Sequence, residues 1–233
     1  MNQGQPGTIG DYELLVAVGA GSQGQVFRAR CISDRNKTVR YGQIVAVKVF
    51  SCAEGGRAAA AHMETTAETL RSLSHPNIVK YLDSFPWHRE WDEACCLVTE
   101  FLDGETLDAR LSKLPRGLLF EEARSVFRQC ISALSYAASQ GVVHRDLKPS
   151  NIFILRDGSV RLIDFDVARR ETATTTSTRG WIGSFDYMAP DFARDQGFRG
   201  DQTSDVFSLG ACLFHALTGK TPFPRFGQNA GIE

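Results

Sequence analysis

The chain has 233 residues, of which 42% are hydrophobic and 23% are charged, and its formal net charge at pH 7 is -1. These values are those of an ordinary globular protein with room for one domain or two intimate lobes. A near-neutral chain carries no strong basic field, so we expect no nucleic-acid partner. The longest apolar run, residues 209–217, is interrupted by His215 and is too short to cross a bilayer, so we expect no membrane span.

The chain begins with ten polar, glycine-rich residues, which predict a flexible tail and not a signal peptide. The six cysteines form no C-x-x-C pair and have no histidine partners at zinc spacing. We therefore expect reduced thiols and a cytoplasmic location.

The front half is predicted to form a small sheet with one helix. Its apolar segments are short, rich in β-branched and aromatic residues, and separated by turn-rich pieces. The predicted strands are Tyr12–Val18, Gln25–Arg30, Ile44–Phe50, Val79–Phe85 and Leu97–Phe101. The predicted helix runs from about Arg57 to Leu73.

From Phe120 onwards the apolar residues follow a helical period, which ends at Gly141. The residues that share this period are Ala123, Val126, Phe127, Cys130, Ile131 and Leu134. A second stripe runs from Val206 to Leu217, and Gly219 supplies its stop. A β-rich front half joined near residues 102–104 to a helical back half predicts an α+β fold, with the ligand cleft at the seam between two lobes.

The stretch "GAGSQGQV", Gly19–Val26, fits the pattern G-x-G-x-x-G-x-V. A dinucleotide-binding motif of this kind passes from a strand into a helix. Here the following residues read as a second strand. A hairpin whose glycines let main-chain N–H groups close over phosphates therefore fits better. The later "GKT" at 219–221 is not a Walker loop, because Phe214 stands where that loop needs a glycine.

Lys48 lies in the predicted strand "VAVK". Strand alternation places Ala46 and Lys48 on one face and Val45 and Val47 on the other. With the valines in the core, Lys48 would point into the cleft. An edge-strand lysine facing water is the alternative, and the motifs that follow favour the cleft.

The stretch "HRDLKPSN", residues 144–151, holds an acid, a lysine two residues later and an asparagine five residues after the acid. Phosphoryl transfer requires a proton acceptor, a phosphate-pairing cation and a metal ligand close together. "LIDFD" follows at 162–166, and a hairpin over residues 152–163 would return Asp164 beside Asn151. The alternative, a solvated charged turn, does not explain that second motif.

The ordered set of motifs resembles the protein kinase superfamily. The residues that carry the resemblance are Gly19, Gly21, Gly24, Lys48, His144-Arg145-Asp146, Asn151, Asp164-Phe165 and Ala189-Pro190. The resemblance covers nearly all of the chain from Asp11. It implies a two-lobed kinase fold, with residues 1–10 as a tail, 11–102 as the N-lobe and 103–233 as a C-lobe that lacks its last helices.

The resemblance also implies a role for each motif residue. The nucleotide would be bound by Gly19, Gly21, Gly24, Val26, Ala46, Lys48, Thr99, Glu100, Leu102 and Phe153. Lys48 would pair the α- and β-phosphates. Asp146 would accept or orient the proton of the substrate hydroxyl, and Lys148 would steady the γ-phosphate. Asn151 and Asp164 would hold Mg²⁺.

The implied function is the transfer of a phosphoryl group from Mg·ATP to a serine or threonine hydroxyl of a protein. Lys148 in the catalytic loop is similar to the serine/threonine branch of the family. The stretch "EFLDGETL", residues 100–107, resembles the interlobe hinge, and the style of this hinge and the compact loops resemble eukaryotic-like kinases of bacteria. Ser184 would lie near the acceptor. Arg145 would pair a phosphate placed on the hydroxyl run at 172–178. A pseudokinase is the alternative, and a small-molecule phosphotransferase is a third hypothesis.

Three positions depart from the family pattern. Asp166 replaces a glycine, and Asp191 replaces a glutamate. Thr66 stands where a helix glutamate would pair with Lys48. We expect Lys48 to keep a carboxylate partner through a rotation or shift of the helix. The acids that would serve are Glu64 and Glu68, which lie about 200° around the helix from Thr66, and Asp164.

Overall fold

The computed structural model describes residues 7–21, 24–51, 56–89, 92–165, 185–191 and 200–223. The chain divides into two compact units. The first comprises Met1–His75 and Val79–Asp103, and the second comprises Pro76–Ile78 and Gly104–Glu233. Among the described residues, the first unit contains one large sheet and a helix, and the second contains most of the helices together with a small sheet. The predicted α+β fold is therefore confirmed.

The sheet of the first unit has six strands in the order β1-β2-β3-β4-β6-β5. Its strands are β1 (Thr8–Ile9), β2 (Tyr12–Gly21), β3 (Gly24–Cys31), β4 (Ile44–Ser51), β5 (Tyr81–Arg89) and β6 (Asp92–Glu100). Every neighbouring pair is antiparallel. Val45 and Val47 of β4 are fully buried in the core, whereas Ala46 and Lys48 are only partly covered.

Helix α1 (Gly56–Ser72) packs against β4, β5 and β6. It forms because alanine and other good helix formers fill it. Its buried side includes Met63, Ala67 and Leu70, which recur at helical spacing. Thr66 lies on the same buried side, with 5% of its surface exposed.

In the first unit, the largest differences from the sequence prediction are in β1, β5 and β6. Thr8–Ile9 was assigned to the flexible tail, but these residues pair with β2, and Ile9 is 3% exposed. A two-residue strand is too short to show a period in the sequence. The hairpin of β5 and β6 is longer than predicted, because β5 continues through Pro86. Proline is tolerated there because β5 is the edge of the sheet.

In the second unit, the described residues form the sheet β7-β8-β9 and three α-helices. The strands are β7 (Gly104–Thr106), β8 (Ile152–Leu155) and β9 (Val160–Leu162); the helices are α2 (Leu107–Leu111), α3 (Phe120–Ser139) and α4 (Gln202–Thr218). Helix α4 begins at a capping box formed by Asp201 and Ser204. It ends at Gly219, whose φ of 70° suits glycine, and a Cβ there would meet the Pro115 carbonyl oxygen at 2.2 Å.

Pro76–Ile78 pack with the second unit although residues on both sides belong to the first. The main-chain oxygen of Asn77 accepts a hydrogen bond from Leu162 N at 2.8 Å, and Ile78 forms a parallel bridge with Leu162. Contacts to a strand more than eighty residues away cannot be read from local sequence pattern. For this reason the predicted division into residues 11–102 and 103–233 assigns these three residues to the N-lobe, whereas in the structure they pack with the second unit.

Within the described ranges, no helix is both long enough and apolar enough to cross a membrane.

Candidate active site

The loop at 144–148 is held by the N-terminal turn of α4. The Asp205 carboxylate accepts hydrogen bonds from the main-chain N–H groups of His144, at 2.7 Å, and Arg145, at 2.9 Å. Arg145 has a φ of 66°, which is uncommon for a residue with a side chain. The two hydrogen bonds that Asp205 accepts stabilise that backbone conformation directly before Asp146.

His144 joins the same loop to the segment that carries Asp164. Its side chain is fully buried, with Nε2 at 3.1 Å from the Ile163 carbonyl oxygen. Its ring lies 4.5 Å from the ring of Phe165, which is also buried. The residues on both sides of Asp164 therefore contact one buried imidazole.

Asp146, Lys148 and Asn151 form one hydrogen-bonded cluster. Lys148 Nζ lies 2.7 Å from Asp146 Oδ2. Asn151 Nδ2 donates to the Asp146 carbonyl oxygen at 2.7 Å and to Asp146 Oδ2 at 3.1 Å. Only 4% of the Asn151 surface is exposed. A carboxylate with a cation and an amide donor on one oxygen keeps a fixed orientation, as a proton acceptor requires.

The β8–β9 hairpin returns the chain from Asn151 to Asp164. Ile163 N donates to the Asn151 carbonyl oxygen at 3.0 Å, and Asp164 follows with a φ of 56°. Aspartate enters this left-handed region at modest cost, because its short carboxylate can bond locally. The backbone thus turns sharply at Asp164 itself. Asp166 lies outside the described residues.

The donor groups suit Mg²⁺. Because the Asn151 amide nitrogen donates to Asp146, its oxygen is the end that can bind a cation. An amide oxygen and the Asp164 carboxylate are the hard ligands that Mg²⁺ prefers, and such sites are completed by substrate phosphates. In the part of the chain that the structure describes, no cluster of three or more His, Cys, Asp or Glu side chains forms a self-sufficient metal site.

The glycine motif forms the predicted hairpin between β2 and β3, with Gly19 opposite Val26 and Gly21 opposite Gly24. Gly24 has a φ of 135°, and a Cβ on it would lie 2.2 Å from the Val49 carbonyl oxygen. Only glycine fits there. The two residues at the tip, Ser22 and Gln23, lie outside the described ranges.

Lys48 is partly buried in the middle of β4, opposite Val26 on β3 and Leu97 on β6. Its Nζ lies 5.2 Å from the ring centroid of Phe50, within cation–π range. Ala46 is opposite Thr99 in the same sheet. The expected pairing of Lys48 with a carboxylate stays a prediction.

Thr66 occupies the buried side of α1, whereas Glu64 and Glu68 are exposed. The Thr66 hydroxyl is buried and makes no hydrogen bond with any described residue. An unbonded hydroxyl is an uncommon feature in a protein interior. The helix therefore keeps a polar group on its inner face, at the position where the family resemblance implies a carboxylate.

The residues that were expected to bind adenine are divided between the two units. Glu100 is fixed by Lys80: its N–H donates to Lys80 O at 3.0 Å, and its Oε1 accepts from Lys80 N at 2.9 Å. Leu102 follows outside any strand and is half-buried. Phe153, on β8, belongs to the other unit. The expected sandwich of adenine between Phe153 and the first unit, and the cleft at the seam, stay predictions.

Of the segment around Ser184, which was expected to lie near the acceptor, the structure describes residues 185–191. Ala189 is buried, and Pro190 and Asp191 are exposed. Ser184 and the hydroxyl run at 172–178 lie outside the described residues.

The sequence pattern predicted a helix from Val206 to Leu217 but did not identify Asp205, whose carboxylate holds the loop at 144–148. The signal was present, since Asp205 follows the capping-box residues Asp201 and Ser204 at the start of the helix. It did not identify Asn77 or Gln129, which contact each other across 52 positions. No local pattern marks such a pair.

The protein kinase domain family model matches residues 12–232. The serine/threonine-protein kinase TIO of Arabidopsis thaliana is 36% identical over 216 residues, which are 92% of this chain and 15% of that protein. The serine/threonine-protein kinase PrkC of Bacillus subtilis is 34% identical over 219 residues, 92% of this chain and 31% of that protein. The probable serine/threonine-protein kinase PknB of Lactococcus lactis is 33% identical over 214 residues, 91% of this chain and 32% of that protein.

The chain spans less than a third of the length of each of these relatives. Within that span the family match is nearly complete. The motif residues on which the resemblance depends also lie inside it, in a β-rich unit followed by a helical one. The chain therefore belongs to the protein kinase family and has its two-lobed fold.

Proposed function

We propose that the chain is an active serine/threonine kinase domain, which transfers the γ-phosphoryl group of Mg·ATP to a hydroxyl of a protein. The observation that carries this proposal is the cluster of Asp146, Lys148 and Asn151, with distances of 2.7–3.1 Å, next to the turn at Asp164. It combines a fixed carboxylate, a cation and two oxygen ligands in one short loop and hairpin. Members of the family generally use ATP and Mg²⁺.

In this proposal Asp146 acts on the substrate and not on the nucleotide. The bonds from Lys148 and Asn151 to its Oδ2 orient the carboxylate that would accept the hydroxyl proton. Lys148 would pair the transferring phosphoryl group, and this would weaken its bond to Asp146 as negative charge develops.

Asn151 and Asp164 would hold Mg²⁺, which supplies charge neutralisation at the phosphates when bound. The protein's own contribution is to keep the two oxygen ligands close, through the bond from Ile163 N to Asn151 O. In the first unit, Gly19, Gly21 and Gly24 would cover the phosphates and Lys48 would pair them. Val26, Ala46, Thr99, Glu100 and Leu102, with Phe153, would bind the adenosine.

One observation favours a pseudokinase as the second hypothesis. Thr66 is buried where the family resemblance implies the carboxylate partner of Lys48. The loss of that partner lowers activity without removing Asp146, Asn151 or Asp164. The retained cluster in the second unit is why the active kinase is preferred. The cytoplasmic location stays a prediction from the reduced cysteines.

The test is phosphate transfer from radiolabelled ATP to a generic protein acceptor, with and without Mg²⁺. We expect Mg²⁺-dependent labelling of serine or threonine. Asp146→Asn should abolish transfer but change Mg·ATP affinity by no more than a few-fold, because Asp146 acts on the acceptor. Nucleotide binding without transfer in the wild type would favour the pseudokinase. Normal turnover of Asp146→Asn would refute the role of Asp146.

A further inference from the structure

Strand β9 carries the chain into Asp164, and it is the outer strand of the sheet β7-β8-β9. One side of β9 pairs with β8. On its other side, Leu162 N donates to the Asn77 carbonyl oxygen at 2.8 Å, and Ile78 bridges Leu162. Both Val160 and Leu162 are fully buried. The outer edge is thus covered by a three-residue piece of chain, Pro76–Ile78, that packs in this unit.

Two amide side chains complete this edge. Gln129, on α3, accepts hydrogen bonds at Oε1 from Val160 N and from Asn77 Nδ2, each at 2.9 Å. Its Nε2 donates to the Gly158 carbonyl oxygen at 3.1 Å. Asn77 Nδ2 also donates to the Val160 carbonyl oxygen at 3.0 Å. The main-chain N–H and C=O of Val160 are therefore both bonded to side chains.

These contacts fix the position of β9 along its own axis. Side chains in a strand alternate between faces, so a slip by one residue would reverse the buried and exposed sides. The slip would also move Asp164 by about 3.3 Å, the rise per residue of a strand. Val160 and Leu162 precede Asp164 by four and two residues. Metal ligands tolerate only small displacements, so the register of β9 determines whether Asp164 and Asn151 can share a cation.

We propose that Asn77 and Gln129 are positioning residues for the metal ligand Asp164. They bind neither metal nor nucleotide. They hold the strand whose end places the Asp164 carboxylate beside Asn151, as hydrogen-bonded neighbours hold the ligands of other metal sites. This inference rests on the proposed function, since it takes Asp164 to be a Mg²⁺ ligand.

The test measures metal binding directly, with Mn²⁺ as a paramagnetic probe and a non-hydrolysable ATP analogue. Mn²⁺ affinity is measured by electron paramagnetic resonance at saturating nucleotide, and nucleotide affinity is measured separately without metal. We expect Gln129→Met to weaken Mn²⁺ binding by roughly tenfold, at the low end of losses for such neighbours. Its metal-free nucleotide affinity should stay within about twofold of the wild type, whereas general damage to the unit would weaken both.

The matched control is Gln140→Met, the same change at the exposed end of α3, where the amide bonds only Ser139 among the described residues. It should leave both affinities unchanged. If Gln129→Met does not fold, Asn77→Ala provides the same comparison, because it keeps the main-chain bond to Leu162.

Unchanged Mn²⁺ affinity in a folded Gln129→Met or Asn77→Ala variant would overturn this inference alone. An equal loss of the two affinities would also overturn it. A wild-type protein that binds no Mn²⁺ with the nucleotide would contradict the proposed function itself.

Discussion

The Tyr187 hydroxyl and His215 Nδ1 lie 2.7 Å apart, and their rings stack with centroids 6.0 Å apart. Burial raises the pKa of Tyr187, so its phenol remains a proton donor. Burial lowers the pKa of His215, although Asp108 and Asp186 partly offset this effect. A neutral imidazole is the form that accepts the hydrogen bond. The pair thus ties the segment that ends in Ala189-Pro190-Asp191 to helix α4.

The first prediction concerns pH. In the unfolded chain a histidine binds a proton near pH 6.5, whereas folded His215 has a lowered pKa and resists protonation. The unfolded state therefore binds more protons below about pH 6.5, and the free energy of unfolding falls as the pH falls through that value. Denaturant unfolding at pH 7.5, 6.5 and 5.5 should show this decline. His215→Phe keeps an aromatic ring and should flatten it.

His75 contributes to this pH dependence in the same direction, since burial lowers its pKa as well. His75→Gln is therefore measured beside His215→Phe, and its effect on the slope should be smaller because His75 is less buried. The carboxylates with lowered pKa, such as Glu105, titrate at lower pH and do not contribute in this window. An unchanged slope in His215→Phe would show that His215 titrates alike in both states.

The second prediction concerns Asp205, which is 7% exposed and accepts two main-chain N–H groups. Asp205→Asn replaces one acceptor oxygen by a donor, so one buried N–H loses its partner. We expect the free energy of unfolding to fall by about 1–3 kcal/mol. Activity should fall as well, because the bond to Asp205 stabilises the left-handed φ of Arg145 directly before Asp146.

The control for Asp205 is Asp157→Asn, which changes an exposed carboxylate that accepts one main-chain hydrogen bond, from Ser159 N. A surface change of this kind should alter stability by no more than about 0.5 kcal/mol. Denaturant unfolding measures both variants. Equal losses of unfolding free energy in the two variants would show that the burial of Asp205 does not make its hydrogen bonds more important for stability.

The helical spacing of apolar residues in the sequence predicted where helices α3 and α4 lie. Helix α3 buries most of its predicted stripe but exposes Ile131. Helix α4 forms where it was predicted, but the predicted face is wrong: Val206 and Leu217 are exposed, and the buried side carries Ser208, Ala211, Cys212 and Ala216. The stop at Gly219 follows from the need for a positive φ. The loop at 144–151 was identifiable because its acid, lysine and asparagine lie within six residues and form one cluster. Local pattern thus predicted where these elements lie, because their determining contacts are local, but the buried face of α4 depends on what packs against it.

Other features depend on contacts between distant residues and left no local trace. Tyr187 and His215 are 28 positions apart, and Asn77 and Gln129 are 52 apart. The strand at Thr8–Ile9 is held by pairing with β2 and not by its own composition. Propensity is a weak guide where tertiary pairing determines the conformation.

The third prediction separates the two acids of "LIDFD". Asp164 has a φ of 56°, a conformation that asparagine also adopts easily. Asp164→Asn therefore removes the charge without straining the backbone, and we expect it to eliminate Mg²⁺-dependent turnover while the protein stays folded. Asp166→Gly should preserve or raise turnover, since glycine is the family residue there. Rate measurements across a Mg²⁺ titration test both variants. An indispensable Asp166 and an expendable Asp164 would show that the two roles are reversed.

The last prediction concerns Thr66 and Lys48, which both belong to the first unit. Helix α1, which carries Thr66, packs against β4, which carries Lys48. Thr66 is on the buried side of the helix, whereas Glu64 and Glu68 are exposed. A carboxylate at position 66 would therefore face the sheet. If Lys48 lies within its reach, Thr66→Glu creates an ion pair that orients Lys48 toward the phosphates, and kcat/KM for ATP should rise by roughly tenfold, equivalent to about 1.4 kcal/mol.

The free energy of unfolding of Thr66→Glu distinguishes an ion pair with Lys48 from a buried carboxylate that has no partner. A buried carboxylate that finds no partner is strongly destabilising, with a cost of several kcal/mol, whereas a paired one costs far less. Thr66→Glu should thus raise kcat/KM with little loss in the free energy of unfolding. Thr65→Glu, the same change one residue earlier, where the side chain is less buried and bonds the Ala61 carbonyl oxygen, should not raise activity. A large loss of stability with no gain in activity would show that the inner face of α1 does not present position 66 to Lys48, and the Lys48 partner would then have to come from another residue.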